Sequence, residues 1–371
     1  MRKGWEYKRF TEVCDVTYGY AFDSKCFTDN PEDTPLIRIR DVKRGFSETF
    51  YNGEIPDGYK VMEGDYLVGM DGEFNIGQWG KRPGVLNQRV CKMNSSSSEL
   101  INQYMYYFMK VCLKSIEDET PFVTVKHLSA KRINQIQIPL PPKSTQLAIV
   151  TELDKINELI RLKKEQLKDF DNLAQSLFYE MFGDPVENEK GWKVKKLGDV
   201  SIYPNKRIQV SELNPQDYVG VENLQKNRAG IVFSDKIPNT DSAIAFSPND
   251  ILIGNIRPYL KKIWLADKSG GASGDVVIIR ICTKDLQPMY LYKVLASDQF
   301  FEYDNTYTKG AKMPRGDRKA IAKFMVPLPP LPLQRLFAQR IEQIEREKSE
   351  VQKSIQDLET LLASRMQYWF E

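Results

Sequence analysis

Apolar residues recur at alternating steps of four and three along two segments of this chain. In the first segment they form a seam at positions 149, 153, 156, 160, 163, 167, 170, 174, 177 and 181, which only Lys163 interrupts. A matching seam lies 188 positions later, from Phe337 to Trp369, with Lys348 and Arg365 as its polar members. This spacing places one apolar stripe on each of two long α-helices. Such a helix needs a partner along its length, and the other helix is the obvious one.

The same four residues, Pro-Leu-Pro-Pro, precede both helices, at 139–142 and 327–330. Proline fixes φ and removes a backbone donor, so the tetrad predicts a rigid elbow between a domain and its helix. A PxxP ligand for an SH3 or WW domain is the alternative, but recurrence directly before a helix favours the elbow. The first helix should end at Gly183, because glycine caps helices and Pro185 prevents extension.

The segments outside the helices also repeat one plan. Short β-like runs, among them a strand predicted at 36–42, alternate with Gly, Asn and Asp. Residues 36–42, 64–69 and a helix near 100–114 correspond to 218–224, 249–254 and 290–295. The predicted fold is α+β: two mixed α/β domains, 1–142 and 184–330, separated by long helices at 143–183 and 331–371. If the domains lie at opposite ends, the helices form an antiparallel two-helix coiled coil with internal pseudo-two-fold symmetry. The seam lysines then either fix its register or snorkel from its edge.

Composition narrows the class of protein. The chain has 371 residues, 41% hydrophobic and 11% aromatic, which is typical of folded domains. No apolar run is long enough for a membrane span and no signal-peptide core is visible, so we expect a cytoplasmic protein without membrane contact. The five cysteines are scattered and never form a CxxC pair, so they indicate neither a disulfide framework nor a thiolate zinc site. His127 is the one histidine, which excludes multi-histidine metal sites.

Charge is unevenly distributed although the net charge is only +3. Residues 1–142 carry 19 basic and 19 acidic side chains, whereas residues 184–330 carry 22 and 17. The second domain, at +5, is compatible with a polyanionic partner. No P-loop, dinucleotide fingerprint, NPP[FY] tetrad or nucleophile elbow is present, so the chain does not look like an enzyme. Two kinds of protein stay open at this point. One is a symmetric adaptor whose coiled coil joins two protein-binding domains and which binds no DNA, and the other is a coiled-coil enzyme of unrecognised type.

Several repeated features together resemble the specificity (S) subunits of Type I restriction-modification systems. They are Gly4-Trp5 and Gly191-Trp192, Gly64-Asp65 and Asn249-Asp250, Leu86-Asn87-Gln88-Arg89 with Ser273-Gly274-Asp275-Val276, both elbows, and the junction at 182–185. The chain departs from that family's pattern in one place. An acidic residue usually follows the elbow there, whereas Thr145 and Leu333 stand here, before Gln146 and Gln334.

The resemblance implies a subunit that recognises double-stranded DNA and has no catalytic activity. Each domain would read one half of a bipartite asymmetric site, and the helices would set the spacer and dock two methyltransferase (M) subunits. Restriction (R) subunits would complete the assembly. No cofactor is expected in this chain: S-adenosylmethionine would belong to the M subunits, and ATP and Mg to the R subunits.

Phosphate contacts come from lysine and arginine, and base edges are read by Arg, Lys, Asn or Gln. Each candidate could instead be an ordinary solvated charge, and Tyr259 could belong to the core. The candidates in the first domain are Arg38, Arg40, Lys43, Arg44, Lys81, Arg82, Gln88, Arg89, Lys126, His127, Lys131 and Arg132. Those in the second domain are Lys206, Arg207, Asn223, Lys226, Arg228, Arg257, Tyr259, Lys261, Lys262, Lys309, Lys312, Arg315, Arg318 and Lys319.

Overall fold

The computed structural model describes residues 4–80, 82–120, 126–310 and 312–371. The chain divides into two compact units. Unit 1 comprises Met1–Glu165 with Gln352–Glu371, and unit 2 comprises Gln166–Val351. Each unit therefore combines a globular mixed α/β part with a stretch of both long helices. The four predicted domain boundaries stay a prediction, because this division runs through the helices rather than at their ends.

The first half of the chain contains eleven strands and five α-helices within the described residues. In chain order they are β1 (Glu6–Arg9), α1 (Phe10–Val13), β2 (Cys14–Tyr18), β3 (Phe27–Thr28), β4 (Thr34–Ile37), α2 (Ile39–Val42), β5 (Phe50–Tyr51), β6 (Lys60–Val61), β7 (Tyr66–Gly69), β8 (Asn75–Gln78), β9 (Gly84–Leu86), β10 (Val90–Ser95), α3 (Asn102–Glu119), α4 (Ala130–Asn134), β11 (Gln137–Leu140) and α5 (Lys143–Phe182).

The second half continues with β12 (Lys193–Lys196), α6 (Leu197–Val200), β13 (Ser201–Ile202), β14 (Arg207–Gln209), β15 (Tyr218–Val219), β16 (Ser242–Phe246), β17 (Ile251–Gly254), β18 (Ile263–Leu265), β19 (Gly270–Ala272), β20 (Val276–Ile281), α7 (Pro288–Leu295), α8 (Asp298–Thr306), α9 (Arg318–Ile321), β21 (Met325–Leu328) and α10 (Leu331–Phe370). Short 3₁₀ turns lie at Ser24–Cys26, Val210–Glu212, Pro215–Asp217, Lys226–Arg228 and Pro258–Leu260.

Unit 1 is built on two sheets and one strand pair. The antiparallel sheet β2-β10-β7-β8 lies beside the sheet β3-β5-β4-β9-β6, in which β4 and β9 are parallel, and β1 pairs with β11. Helix α3 contributes Tyr104 and Phe108 to the same apolar cluster as Val68 and Met93 of the first sheet. Burial of these large side chains from a helix and a sheet face supplies the main stabilising free energy of the unit.

Unit 2 repeats the first sheet strand for strand, as β13-β20-β17-β18. Its second sheet, β14-β16-β19-β15, contains the parallel pair β15 and β19, and β12 pairs with β21. The predicted correspondence of the two globular segments is therefore visible in the strand pairing of each unit. The described part of the chain differs between the units mainly at the outer strands of the second sheet.

Two predictions about the globular segments are wrong in detail. Residues 36–42 are not one strand, because β4 ends at Ile37 and α2 begins at Ile39; the Asp41 carboxylate caps this turn by accepting the Arg38 N–H at 2.9 Å. The correspondence of 86–89 with 273–276 is displaced by one position. In the parallel pairs, Leu86 lies opposite Ile37 in unit 1 and Ala272 lies opposite Val219 in unit 2. Because Ile37 and Val219 are equivalent, Leu86 corresponds to Ala272 and Arg89 corresponds to Asp275.

Helices α5 and α10 are each 40 residues long, about 60 Å at 1.5 Å per residue. Every predicted seam position is buried or half-buried, which confirms the seam. Within unit 1, Arg365 binds Glu152 and Lys164 contacts Glu359 at 2.7 Å. Later positions of α5 therefore face earlier positions of α10, so the two helices run antiparallel in this unit. In unit 2, Lys348 contacts Asp171 across the helices at 2.7 Å, which favours the register role of this lysine over simple snorkelling.

The elbows are held by two glutamines with identical bonding. Gln146 and Gln334 are each 0% exposed. The side-chain oxygen of Gln334 accepts the Gln287 N–H at 2.9 Å, and its nitrogen donates to the carbonyls of Asp285 and Pro329 at 2.9 and 2.8 Å. Gln146 makes the same three bonds in unit 1. The first three residues of each Pro-Leu-Pro-Pro segment are buried or half-buried, and the fourth, Pro142 or Pro330, is exposed. The segments are thus structural junctions, although their first two residues still belong to β11 and β21.

Candidate nucleic-acid interface

Four predicted residues of the first domain line one cavity. It measures about 370 Å³ and is lined by Arg38, Ile39, Arg40, Asn87, Gln88, Arg89 and Val90. The fold explains why these residues meet: β4 and β9 are parallel neighbours, with Ile37 opposite Leu86, so the residues that follow both strands emerge at the same edge. The residues around the cavity include three arginines and two carboxamides, residue types that suit phosphates and base edges. The Arg40 guanidinium also donates to Thr49 Oγ1 at 2.8 Å.

The turn between β9 and β10 is tightly supported. A Cβ at Gly19 would lie 1.9 Å from the Asn87 carbonyl oxygen, so only glycine permits this approach. Arg89 has φ 87°, a left-handed conformation that is unfavourable for a residue with a Cβ. Its guanidinium contacts Asp71 at 3.0 Å, and the second oxygen of that carboxylate bonds His127 Nδ1 at 2.5 Å. Asp71 therefore joins two predicted residues that lie far apart in sequence.

The other candidates of unit 1 have separate partners. Lys43 contacts Glu73 and Arg44 contacts Glu48, while Arg82 donates to the carbonyls of Pro31 and Asp33. Lys126 donates to the Glu117 carbonyl, Arg132 binds Glu119, and Lys131 is exposed. Lys81 lies outside the described residues. These candidates therefore have separate partners and do not line the cavity, and their contact with DNA stays a prediction.

In unit 2 the basic loop before the elbow folds back on itself. Lys309 and Arg315 exchange two backbone hydrogen bonds of 2.9 Å, and the Lys309 side chain contacts Asp317 at 2.7 Å. The Arg315 guanidinium contacts Asp275 at 3.1 Å, and Arg318 donates to the Gly274 carbonyl at 2.9 Å. The loop therefore presents its cations beside the turn between β19 and β20.

A second basic cluster of unit 2 surrounds Asp298. Arg228 and Lys261 both bind its carboxylate, which lowers the pKa of Asp298 below its usual value. Arg228 and Lys261, together with the exposed Arg257, have positive φ. Backbone strain of this kind concentrates at functional sites, because elsewhere nothing offsets its cost. Lys262 differs, since burial lowers its pKa and its ammonium donates to the Val221 carbonyl.

The expectation for Asn223 is corrected by its burial. It is 4% exposed, its oxygen accepts the Gly220 N–H at 2.7 Å, and its nitrogen donates to the Val232 carbonyl at 3.0 Å. Both polar atoms of the Asn223 side chain therefore bond backbone groups of the domain, and the buried amide does not reach a base edge. Tyr259 is 52% exposed, which removes the core alternative for that residue. The remaining candidates, Lys206, Arg207, Lys226, Lys312 and Lys319, are exposed or half-buried.

One buried carboxylate lies beneath the basic loop of unit 2. Asp304 is 1% exposed, and neither of its oxygens has a hydrogen-bond partner among the described residues. The same holds for the buried side-chain oxygen of Asn255. Both side chains face the Cα of Gly316, where a Cβ would lie 2.6 and 2.9 Å from their oxygens. Burial raises the pKa of Asp304 to about 6. A protonated Asp304 would supply the donor that these acceptors lack.

Sequence reasoning missed the acids of this surface. It considered only cations and amides, whereas Asp71 and Asp275 hold the cations in place. The signal available was their position immediately after or before a predicted strand.

Among the described residues no group of three His, Cys, Asp or Glu side chains could hold a metal ion. No helix in the described part of the chain is long and apolar enough to cross a membrane.

Comparisons with known proteins agree with this architecture. The sequence model of the Type I restriction modification DNA specificity domain matches residues 2–169 and 189–360. The chain is 36% identical over 175 residues to the EcoBI specificity subunit of Escherichia coli, covering 47% of this chain and 37% of that protein. It is 22% identical over 339 residues to the MjaVIII specificity subunit of Methanocaldococcus jannaschii, covering 81% and 79%.

Two solved structures share the fold. The S subunit of a Type I restriction-modification system from M. genitalium aligns over 98% of this chain and 95% of its own, with 15% identity and a TM-score of 0.53. A chain from a study of complex assembly and conformational transition of the type I R-M system aligns over 100% and 98%, with 16% identity and a TM-score of 0.62. The chain therefore belongs to the family of the Type I restriction modification DNA specificity domain, and it carries that domain twice.

Proposed function

We propose that this chain is the DNA-recognition subunit of a Type I restriction-modification complex that acts in the cytoplasm. The observation that carries the proposal is the cavity of unit 1, where Arg38, Arg40, Gln88 and Arg89 meet at one edge of a sheet. Its guanidinium and carboxamide donors match the acceptors of DNA phosphates and base edges. The exposed cations of unit 2 would serve the second half of a bipartite site.

The repeated scaffold supports a role for the helices. Gln146 and Gln334 make the same three bonds, and α5 and α10 share one seam spacing. We infer that the two helices form an antiparallel coiled coil, that the whole chain has pseudo-two-fold symmetry, and that two M subunits dock on its equivalent faces. The helix length would then set the spacer between half-sites, and R subunits would join this core.

In this proposal the chain contributes recognition and no catalysis. S-adenosylmethionine would be bound by the M subunits, and ATP with Mg by the R subunits. The chain's own residues would bind DNA, orient it and hold the two half-sites apart. The adenine to be methylated would be extruded from the duplex by the M subunit, not by this chain.

The test is DNA binding by the chain assembled with its M subunits, measured by fluorescence anisotropy across salt concentrations. Arg257→Ala and Lys312→Ala should weaken binding, and each should lower the salt slope by about 0.9 if its cation neutralises one phosphate. Lys284→Ala, an exposed lysine of unit 2 outside the candidate surface, is the matched control. Absence of DNA binding by the wild-type assembly would instead support the adaptor, and turnover by the isolated chain would support an enzyme.

A further inference from the structure

Both units contain the same arrangement of three short backbone segments, here called the three-segment frame. In unit 1 it consists of residues 70–72, residue 89 and residues 126–128; in unit 2 it consists of residues 255–257, residue 275 and residues 314–316. The first segment follows β7 or β17. The second directly precedes β10 or β20. The third precedes the short helix before the elbow.

Backbone hydrogen bonds link the first and second segments in the same way in each unit. The Met70 N–H donates to the Arg89 carbonyl at 2.9 Å, and the Asn255 N–H donates to the Asp275 carbonyl at 2.9 Å. Arg89 and Asp275 are therefore equivalent positions of the frame. This agrees with the strand pairing, in which each residue comes immediately before the second strand of its four-stranded sheet, β10 or β20.

The first and third segments are also joined identically. The Gly72 N–H donates to the Lys126 carbonyl at 2.9 Å, as the Arg257 N–H donates to the Pro314 carbonyl at 2.7 Å. Two residues further along the third segment, the Leu128 N–H donates to the Met70 carbonyl at 2.7 Å. In the same way, the Gly316 N–H donates to the Asn255 carbonyl at 3.1 Å. His127 and Arg315 are consequently equivalent, each lying between the two bonds of its own segment.

The side chains on this common frame differ in kind. In unit 1, Asp71 of the first segment contacts Arg89 of the second at 3.0 Å and also bonds His127. In unit 2, the acid is Asp275 of the second segment, and it contacts Arg315 of the third at 3.1 Å. Each frame thus presents one arginine held by one acid, but the arginine comes from a different segment. The two guanidinium side chains are 56% and 55% exposed.

An acid-held arginine suits a base better than a phosphate. A phosphate contact gains most from an unneutralised cation, and a neighbouring carboxylate repels the phosphate. The carboxylate does, however, fix the plane of the guanidinium while leaving its other N–H groups free. Two parallel donors in a fixed plane match the N7 and O6 acceptors of guanine in the major groove.

We propose that Arg89 and Arg315 are the specificity-determining residues of the two units and that each reads a guanine in its own half-site. Asp71 and Asp275 are positioning residues, since they act through the arginines. The inference rests on the proposed function and deepens it. Because the two arginines stand on different segments of the frame, the two guanines occupy different positions in their half-sites, which makes the complete site asymmetric.

The test is methylation by the assembled methyltransferase on a plasmid library with randomised half-sites, read by sequencing of modified bases. Arg89→Ala should remove the preference for guanine at one position of one half-site, a fall in discrimination of roughly 5- to 150-fold, and leave the other half-site unchanged. Arg315→Ala should do the same in the other half-site. Asp71→Asn and Asp275→Asn should each weaken the preference that depends on their arginine.

Conservative variants separate recognition from folding and from charge. Arg89→Lys and Arg315→Lys keep a cation but lose the planar pair of donors, so affinity should persist while guanine discrimination falls. Arg346→Ala is the matched control, because Arg346 is also exposed and ion-paired, to Glu342 at 2.5 Å, but lies on α10 outside both frames. That variant should leave the base preference in both half-sites unchanged.

Two outcomes would overturn the inference. One is a uniform loss of methylation in Arg89→Ala and Arg315→Ala with unchanged base preference, which would make both residues phosphate contacts. The other is a lost preference for a base other than guanine, or in the half-site of the other unit. Failure of the proposed function is distinguishable, because the wild-type assembly would then leave the library unmethylated or methylate it without any sequence preference.

Discussion

Replacement of Gln334 by methionine should destabilise unit 2 strongly for a change of so little volume. The side chain is 0% exposed and makes three hydrogen bonds, to the Gln287 N–H and to the carbonyls of Asp285 and Pro329. Methionine fills nearly the same space but neither accepts nor donates there. One buried N–H and two carbonyls would therefore be left without this partner.

The magnitude follows from those three groups. A buried backbone donor left without a partner costs about 1–3 kcal/mol, and the absence of each hydrogen bond to a carbonyl costs about 0.5–1.5 kcal/mol. Methionine recovers part of this through its own burial. The free energy of unfolding should therefore fall by about 2–4 kcal/mol, a large share of the stability of a domain of this size.

The assay is urea denaturation, combined with hydrogen exchange at the Gln287 amide, which the substitution deprives of its acceptor. Gln146→Met should produce a similar loss in unit 1, because Gln146 bonds the Ile101 N–H at 2.9 Å and two carbonyls in the same way. Gln343→Met, on the exposed side of α10, is the control. A loss below about 0.5 kcal/mol for both buried glutamines would refute the reasoning that these bonds hold the elbows.

Three further predictions concern unit 2. Asp304→Asn should raise the free energy of unfolding by about 3 kcal/mol at pH 7 and change it little near pH 4. Burial raises the folded pKa of Asp304 from 3.8 to about 6, so the cost of charging the buried carboxylate develops as the pH rises between these two values and is nearly complete at pH 7. Equal effects at both values of pH, measured by denaturation, would contradict this. Arg257→Gly should raise the free energy of unfolding by up to about 1 kcal/mol, because φ is 54° at this position and glycine adopts a positive φ without strain. The same variant should weaken DNA binding. A lower stability in thermal unfolding would show that the backbone at residue 257 is not strained. Lys348→Met should raise the free energy of unfolding by about 1 kcal/mol, because methionine completes the apolar seam and Asp171 stays solvated. A lower Tm of the variant would show that the 2.7 Å contact between Lys348 and Asp171 contributes net stability.

Periodicity alone predicted the long helices well. The seam positions repeat after 188 residues, and each proved buried or half-buried, because a sustained apolar stripe cannot remain in water. The elbows were predictable for a similar reason, since proline restricts the backbone whatever surrounds it. The strand at 36–42 was mispredicted because its apolar alternation continues past Ile37, while Asp41 caps a helical turn that only the folded chain forms.

The candidate interface was less predictable, because a basic residue looks the same in sequence whether it meets a carbonyl, an acid or DNA. Asn223 was chosen for its side-chain chemistry and proved buried. Asp71 was overlooked because its partners, Arg89 and His127, are 18 and 56 residues away. Contacts over such separations depend on strand order and register, which local patterning does not encode.

The sequence by itself determined that the chain is built twice from a mixed α/β domain and a long helix, since repetition and periodicity are properties of residue order. It also determined which residue types could meet a polyanion. Only the tertiary structure decided which of them stand together. The equivalence of Arg89 with Asp275, and of His127 with Arg315, appears in backbone hydrogen bonds between distant segments. Those bonds exist only when the sheet has formed, because it is the pairing of strands that brings the three segments to one edge.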